Sequence, residues 1–255
     1  MKNSCLLIFL FSFFLVWSCD SPREKRDEMV ILTQSEDSLQ NQKPEISFFI
    51  YEEKNDYPDA IIEMYSPLGN QIFRPGKVPF EFNIKNYPFD AGLSGFQLNM
   101  ILNSGDPVGY NSPIFQRDLN EGTYRAVAYL VDAEGLALKE FGNFVDRDFM
   151  VGDTRPFPYQ AEPYIVLNMP LNNQKFKEQE EVTIDFLVVG GDIDLDKLKV
   201  DIQLNEFHYE LRQVTPVRVT NLPKGDYLLT VKLMRRDGKE LDGPFSSVKK
   251  GITIE

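Results

Sequence analysis

Apolar residues recur at every second position in several short stretches of the chain. Tyr124, Ala126, Ala128 and Leu130 fall on one face after Gly122, and Tyr227, Leu229, Val231 and Leu233 do the same after Gly225. A period of two marks half-buried β-strands. Turn formers interrupt the pattern at short spacing: Pro75-Gly76, Ser104-Gly105-Asp106-Pro107, Glu134-Gly135, Gly190-Gly191 and Asp237-Gly238. No long stretch carries a helical period. Short strands with frequent turns predict an all-β fold of sandwich type.

The pattern is written twice. Pro67-Leu68-Gly69-Asn70-Gln71-Ile72-Phe73 aligns with Pro170-Leu171-Asn172-Asn173-Gln174-Lys175-Phe176, and Leu119-Asn120-Glu121-Gly122-Thr123-Tyr124 aligns with Leu222-Pro223-Lys224-Gly225-Asp226-Tyr227. The copies stay close to 103 residues apart, the size of a small sandwich domain and not of a solenoid repeat. The motif Leu-x-x-Gly-x-Tyr, followed by alternating residues and a Gly turn, resembles the E–F corner and F strand of immunoglobulin-like and fibronectin type III-like modules. The resemblance implies two tandem antiparallel sandwiches, over residues 45–152 and 164–255. It also implies that the hydroxyls of Tyr124 and Tyr227 bond back to the chain at the corner. Residues 153–163, with three prolines, are read as a short, stiff linker. The β-prone run Ile46–Tyr51 is read as an added edge strand on the first sandwich.

The N-terminus follows a different rule. Lys2 precedes an apolar run from Cys5 to Trp17, the length of a signal-peptide core and short of a membrane span. It ends in Leu15-Val16-Trp17-Ser18-Cys19, which resembles the bacterial lipobox. The resemblance implies cleavage after residue 18 and acylation of Cys19, anchoring the chain in the cell envelope by its lipid. Residues 19–44 are polar and charge-dense and are read as a lipidated flexible tether. The acidic start after Cys19 is similar to surface-export signals of lipoproteins in the Bacteroidota, which implies the outer membrane, facing periplasm or cell surface. The only other cysteine is Cys5, so the processed chain has no thiol for a disulfide, a metal or a nucleophile.

Charge narrows the partners. The net charge of −12, from 27 basic and 39 acidic residues, argues against nucleic acid, whose binding rests on phosphate neutralisation, and against polybasic adsorption to anionic lipid. No nucleophile elbow, phosphate loop, HExxH or CxxC occurs. The single His, His208, lies on a strand without a triad around it. A non-catalytic protein without an obligatory cofactor is expected.

Two sets of residues stand out as candidate sites. Asp192 and Asp194 alternate in a loop of the second repeat, and such carboxylates can bind calcium. Topology puts that loop near the linker, toward Asp153 and Glu162. The alternative is a solvated acidic loop. The aromatics Tyr87, Phe89, Tyr110, Phe141 and Phe144 fall in or beside connections, where aromatic platforms stack on sugars or anchor proteins. The alternative is that they pack. The leading reading is an envelope lipoprotein that recognises or scaffolds a protein partner. The other is a glycan-binding accessory lipoprotein of a polysaccharide uptake system. An open strand edge or a large apolar patch favours the first, and coplanar exposed aromatics favour the second.

Overall fold

The alternating stretches form strands. The computed structural model describes residues 45–51, 57–89, 97–158 and 162–255, and among them are seventeen strands and no helix. Cys19, the lipobox and the proposed tether lie outside the described residues. β1 (Ser47–Ile50) comes first. The first repeat supplies β2 (Ile61–Ser66), β3 (Gln71–Phe73), β4 (Gly76–Lys85), β5 (Leu98–Leu102), β6 (Val108–Tyr110), β7 (Ile114–Leu119), β8 (Gly122–Leu130) and β9 (Phe144–Val151). The second supplies β10 (Tyr164–Met169), β11 (Gln174–Phe176), β12 (Val182–Val189), β13 (Leu198–Leu204), β14 (Phe207–Leu211), β15 (Val217–Thr220), β16 (Gly225–Arg235) and β17 (Ser247–Ile254).

Each repeat folds into two facing sheets. In the first, β2-β4-β7 faces β3-β9-β8-β5-β6. In the second, β10-β12-β15 faces β11-β17-β16-β13-β14. Pairing is antiparallel except for β3 on β9 and β11 on β17, which are parallel. The first strand of each repeat thus leaves one sheet and joins the other, with cis Ser66–Pro67 and Met169–Pro170 bonds at the crossover. This strand order is immunoglobulin-like, and the chain is all-β. The corner tyrosines occupy the expected place: the Tyr124 hydroxyl donates to the Asn120 carbonyl at 2.9 Å and that of Tyr227 to Pro223 at 2.8 Å.

The two cores differ in kind. The first is aromatic, with Phe80 stacked on Phe115 and edge-on to Phe149. The second is aliphatic, built on Ile184, Val200, Ile202, Leu229, Val231 and Ile252 around Phe186.

β1 departs from the sequence expectation. It joins the second sandwich, pairing antiparallel with β15 from Ser47 opposite Thr220 to Ile50 opposite Val217. The cause is side-chain packing. Ile46 and Phe48 lie against the second core, and Phe48 stacks on Tyr209 with centroids 5.2 Å apart. Asn221 Nδ2 donates to the Glu45 carbonyl and Thr215 Oγ1 to that of Tyr51, holding both ends. The chain therefore enters the described structure on the second sandwich and then crosses to the first.

The sandwiches meet face to face. The outer face of β5 and β8, carrying Ile101, Val127 and Tyr129, lies on the outer face of β10 and β12, carrying Tyr164, Val166, Leu187 and Val189. A polar network sits inside this apolar seam. The fully buried Asp185 accepts from Lys139 Nζ at 2.8 Å, from the Ala137 N–H at 2.8 Å and from Asn168 Nδ2 at 2.7 Å. Asn168 Oδ1 in turn accepts from the Tyr129 hydroxyl at 2.7 Å. Burial, reinforced by the nearby Asp185 charge, holds the Tyr129 phenol well above its ordinary pKa. At one rim Arg125 makes a fork of two 2.7 Å bonds to Asp148 while its guanidinium lies over Tyr164, Phe245 and Phe157.

Two outcomes follow from this packing. Tyr227→Phe removes one corner hydrogen bond and should lower stability by about 1 kcal/mol, read as a lower urea midpoint at unchanged slope. Asp185→Ala leaves the Lys139 charge in the seam without its carboxylate and takes an acceptor from the Ala137 N–H and from Asn168 Nδ2. It should cost about 3–5 kcal/mol and split a single urea transition into two, as the sandwiches lose their coupling.

Candidate functional site

The aromatic residues singled out by sequence go to separate packing environments. Tyr87 follows β4, meets Tyr57 edge-on and donates its hydroxyl to the Val131 carbonyl at 2.6 Å. Its burial pushes the phenol up to about 12. Phe89 packs on the first core and Phe144 on the seam cluster. Tyr110 ends β6 and lies flat on Phe115, centroids 3.5 Å apart, with its hydroxyl accepting from Arg117 Nη1. Phe141 alone of the five is fully exposed. One exposed ring does not make a stacking platform.

The acidic loop does lie toward the linker. A Cβ placed on Gly191 would come within 2.5 Å of Pro163, so loop and linker are in contact. Its carboxylates are engaged, however. Asp192 accepts from the N–H groups of Asp194 and Leu195, both at 2.8 Å, and these bonds lower its pKa. Asp194 pairs with Arg236, which also donates to the carbonyls of Ile193 and Leu198. Glu162 pairs with Arg235 at 3.0 Å, and Asp153 is exposed. Two adjacent arginines thus supply the positive charge that the predicted loop would take from calcium. Among the described residues no three His, Cys, Asp or Glu side chains form a metal-holding group.

The strand edges carry more information. On the second sandwich the outer side of β15 is covered by β1. On the first, β7 is the equivalent strand: Phe115 stands opposite Phe80 on β4 as Val217 stands opposite Ile184 on β12. Among the described residues nothing pairs with the far side of β7. Tyr110 covers its inward face, while Ile114, Gln116 and Asp118 are exposed on the outward one. An unpaired edge of this kind can accept an extended segment.

Two cavities flank the seam. One, of about 420 Å³, is lined by Asn99, Asn168, Gln174, Thr183, Glu181 and Pro170. The other, of about 580 Å³, is lined by Gly69, Asn70, Arg125, Arg147 and the linker residues Pro156 to Pro158, with Asp146 and Asp148. Sequence reading missed Arg147, although a signal exists. It occupies a core-facing position of β9, between Val145 and Phe149, where the alternation calls for an apolar side chain.

No family model and no curated protein sequence matches the chain. Among solved structures it is similar to fibronectin(III)-like modules of Clostridium thermocellum CbhA, at 14% identity and a TM-score of 0.26, over 76% of this chain and 93% of that one. It is also similar to three N-terminal domains of the bacteriophage RB49 highly immunogenic outer capsid protein, at 9% identity and 0.23, over 77% and 69%. A third similar structure is a protein from Corynebacterium diphtheriae described as membrane-anchored, at 10% identity and 0.26, over 75% and 58%. The fold assignment stands on the strand order of this chain.

Proposed function

We propose that this chain is a non-catalytic, lipid-anchored protein of the bacterial cell envelope that recognises or scaffolds a protein partner. Its anchor is the acylated Cys19. The observation that carries the recognition reading is the unequal treatment of two equivalent edges. The chain fills the β15 edge with its own β1, while among the described residues nothing pairs with the β7 edge. Strand addition is therefore a mode this sandwich type already uses within the chain, and the free edge is the place where an extended partner segment adds on. Main-chain bonds supply attraction, and side chains beside Ile114 and Gln116 supply selectivity. The rigid seam keeps that edge at a set orientation to the second sandwich. The glycan reading draws less support, because four of the five candidate aromatics pack against neighbouring residues.

Two experiments test this. Cys19→Ser should abolish incorporation of a clickable fatty acid and move the chain from membranes to the soluble fraction. Persistent labelling would exclude the anchor. A photo-crosslinking residue at Gln116 of the full-length chain in cells should capture a protein, with Thr220 on the covered edge as the silent control. Ile114→Lys should reduce that adduct about tenfold, equivalent to ~1.4 kcal/mol. Absence of any adduct, together with retardation of the soluble chain in a polysaccharide gel, would transfer the function to glycan binding.

A further inference from the structure

The internal repeat allows one sandwich to be read against the other, residue by residue. Gln71 pairs with Phe149 as Gln174 pairs with Ile252. The Asn70 N–H donates to the Asp148 carbonyl at 2.8 Å as that of Asn173 donates to Gly251 at 2.7 Å. In this register Arg147 is the counterpart of Lys250, and Gly69 that of Asn172. Each cation occupies a core-facing position of its strand, beneath the crossover from one sheet to the other.

In the second sandwich this socket is filled. Lys250, only 4% exposed, donates to Asp106 Oδ1 at 2.5 Å, and the Asn172 backbone N–H donates to the same oxygen at 2.9 Å. Asp106 arrives on the β5–β6 turn of the first sandwich. Among the described residues the socket of the first sandwich has no such guest. There Arg147 Nε is buried without a hydrogen-bond partner, and the Gly69 N–H has none either. A Cβ on Gly69 would sit 3.8 Å from Arg147 Cδ, so the two residues lie within van der Waals reach of each other. The 580 Å³ cavity opens over both residues. A buried donor left unpaired is costly.

We propose that the Gly69–Arg147 socket receives an Asp or Glu side chain presented on a turn of the protein partner. The guanidinium and the Gly69 N–H grip its carboxylate as Lys250 and Asn172 grip Asp106. This proposal rests on the protein-partner reading above and adds a second, chemically defined contact to it. A protein turn fits better than an acidic sugar because the occupied copy shows that guest: a carboxylate carried on a methylene stem from a tight turn, gripped partly by backbone.

The test uses the full-length chain in its own cells, with a photo-crosslinking residue at Pro158, on the cavity wall, or at Gln116, on the β7 edge. The Pro158 adduct should map to a partner turn bearing Asp or Glu. Arg147→Gln should lower its yield about tenfold, and Arg147→Lys should retain most of it. Neither variant should melt below the wild type, because Arg147 makes no side-chain hydrogen bond among the described residues. Changing the mapped acid to Lys should abolish the adduct, and combining that change with Arg147→Glu should restore it. An adduct insensitive to Arg147→Gln, one that maps away from any acid, or one that is polysaccharide would overturn the socket. An adduct from Gln116 with none from Pro158 would overturn the socket alone and leave the edge reading standing. Silence from both positions would remove the two together.

Discussion

A fully buried carboxylate sets the arrangement of the two sandwiches. Asp185 sits on the outer face of β12, where an isolated sandwich would expose it to water. Here it is covered by the first sandwich, and two of its three donors, Lys139 and the Ala137 N–H, come from that sandwich. Removing a carboxylate from water costs several kcal/mol, and only well-placed donors recover it. Sliding one sandwich over the other by a single residue would break those bonds and leave the charge buried. The apolar contacts around it, from Ile101 to Val189, tolerate such a slide far better, since burial of area has no direction. Area holds the sandwiches together, and Asp185 determines in which register.

That register has consequences at the rims. It brings Asp106 over Lys250 and Arg125 under Phe157 and Phe245. It also brings Glu134 of the β8–β9 connection to Tyr51, which follows β1, and to Arg218, whose guanidinium lies 4.0 Å over the Tyr51 ring. The strand added to β15 is thereby tied to the first sandwich as well as to the second. Two chain segments and one polar network cross the same seam, so the sandwiches form one packed unit and not two beads on a string.

Much of this architecture was legible in the sequence. Its plainest marks were local: alternation in β8 and β16, the Gly-x-Tyr corners, and the repeat itself. Each depends on residues a few positions apart, and local chemistry determines it. The face-to-face seam left a mark too, in a form that alternation does not capture. Tyr164-Ile165-Val166-Leu167 and Phe186-Leu187-Val188-Val189 are apolar at consecutive positions, which is the signature of a strand buried on both faces. One face of each meets its own core and the other meets the neighbouring sandwich. The partner of β1 was not legible in this way. Ile46 and Phe48 identify an inward face, but either sandwich offers an edge to receive it. The choice follows from Tyr209 being free to stack, whereas Tyr110 is already laid over Phe115. Such a choice is made by tertiary packing, beyond the reach of any window along the chain.

The surroundings of the candidate aromatics likewise depend on tertiary packing. The connections of the first sandwich fold over its ends and its seam, so Tyr87 and Phe89 lie partly buried against the first core and Phe144 against the seam cluster. The residues that do break the local pattern are charged ones facing inward: Arg117 on β7, Arg147 on β9 and Lys250 on β17. A polar group in a core-facing register lowers stability unless something satisfies it, and two of these three are satisfied within the chain. Arg117 has Tyr110, and Lys250 has Asp106. Because the repeats share a backbone, the third can be judged against a bonded equivalent in an equivalent place. The contrast between Lys250 and Arg147 is therefore a difference in partner and not in fold, and it locates a requirement for negative charge that the described chain leaves unmet.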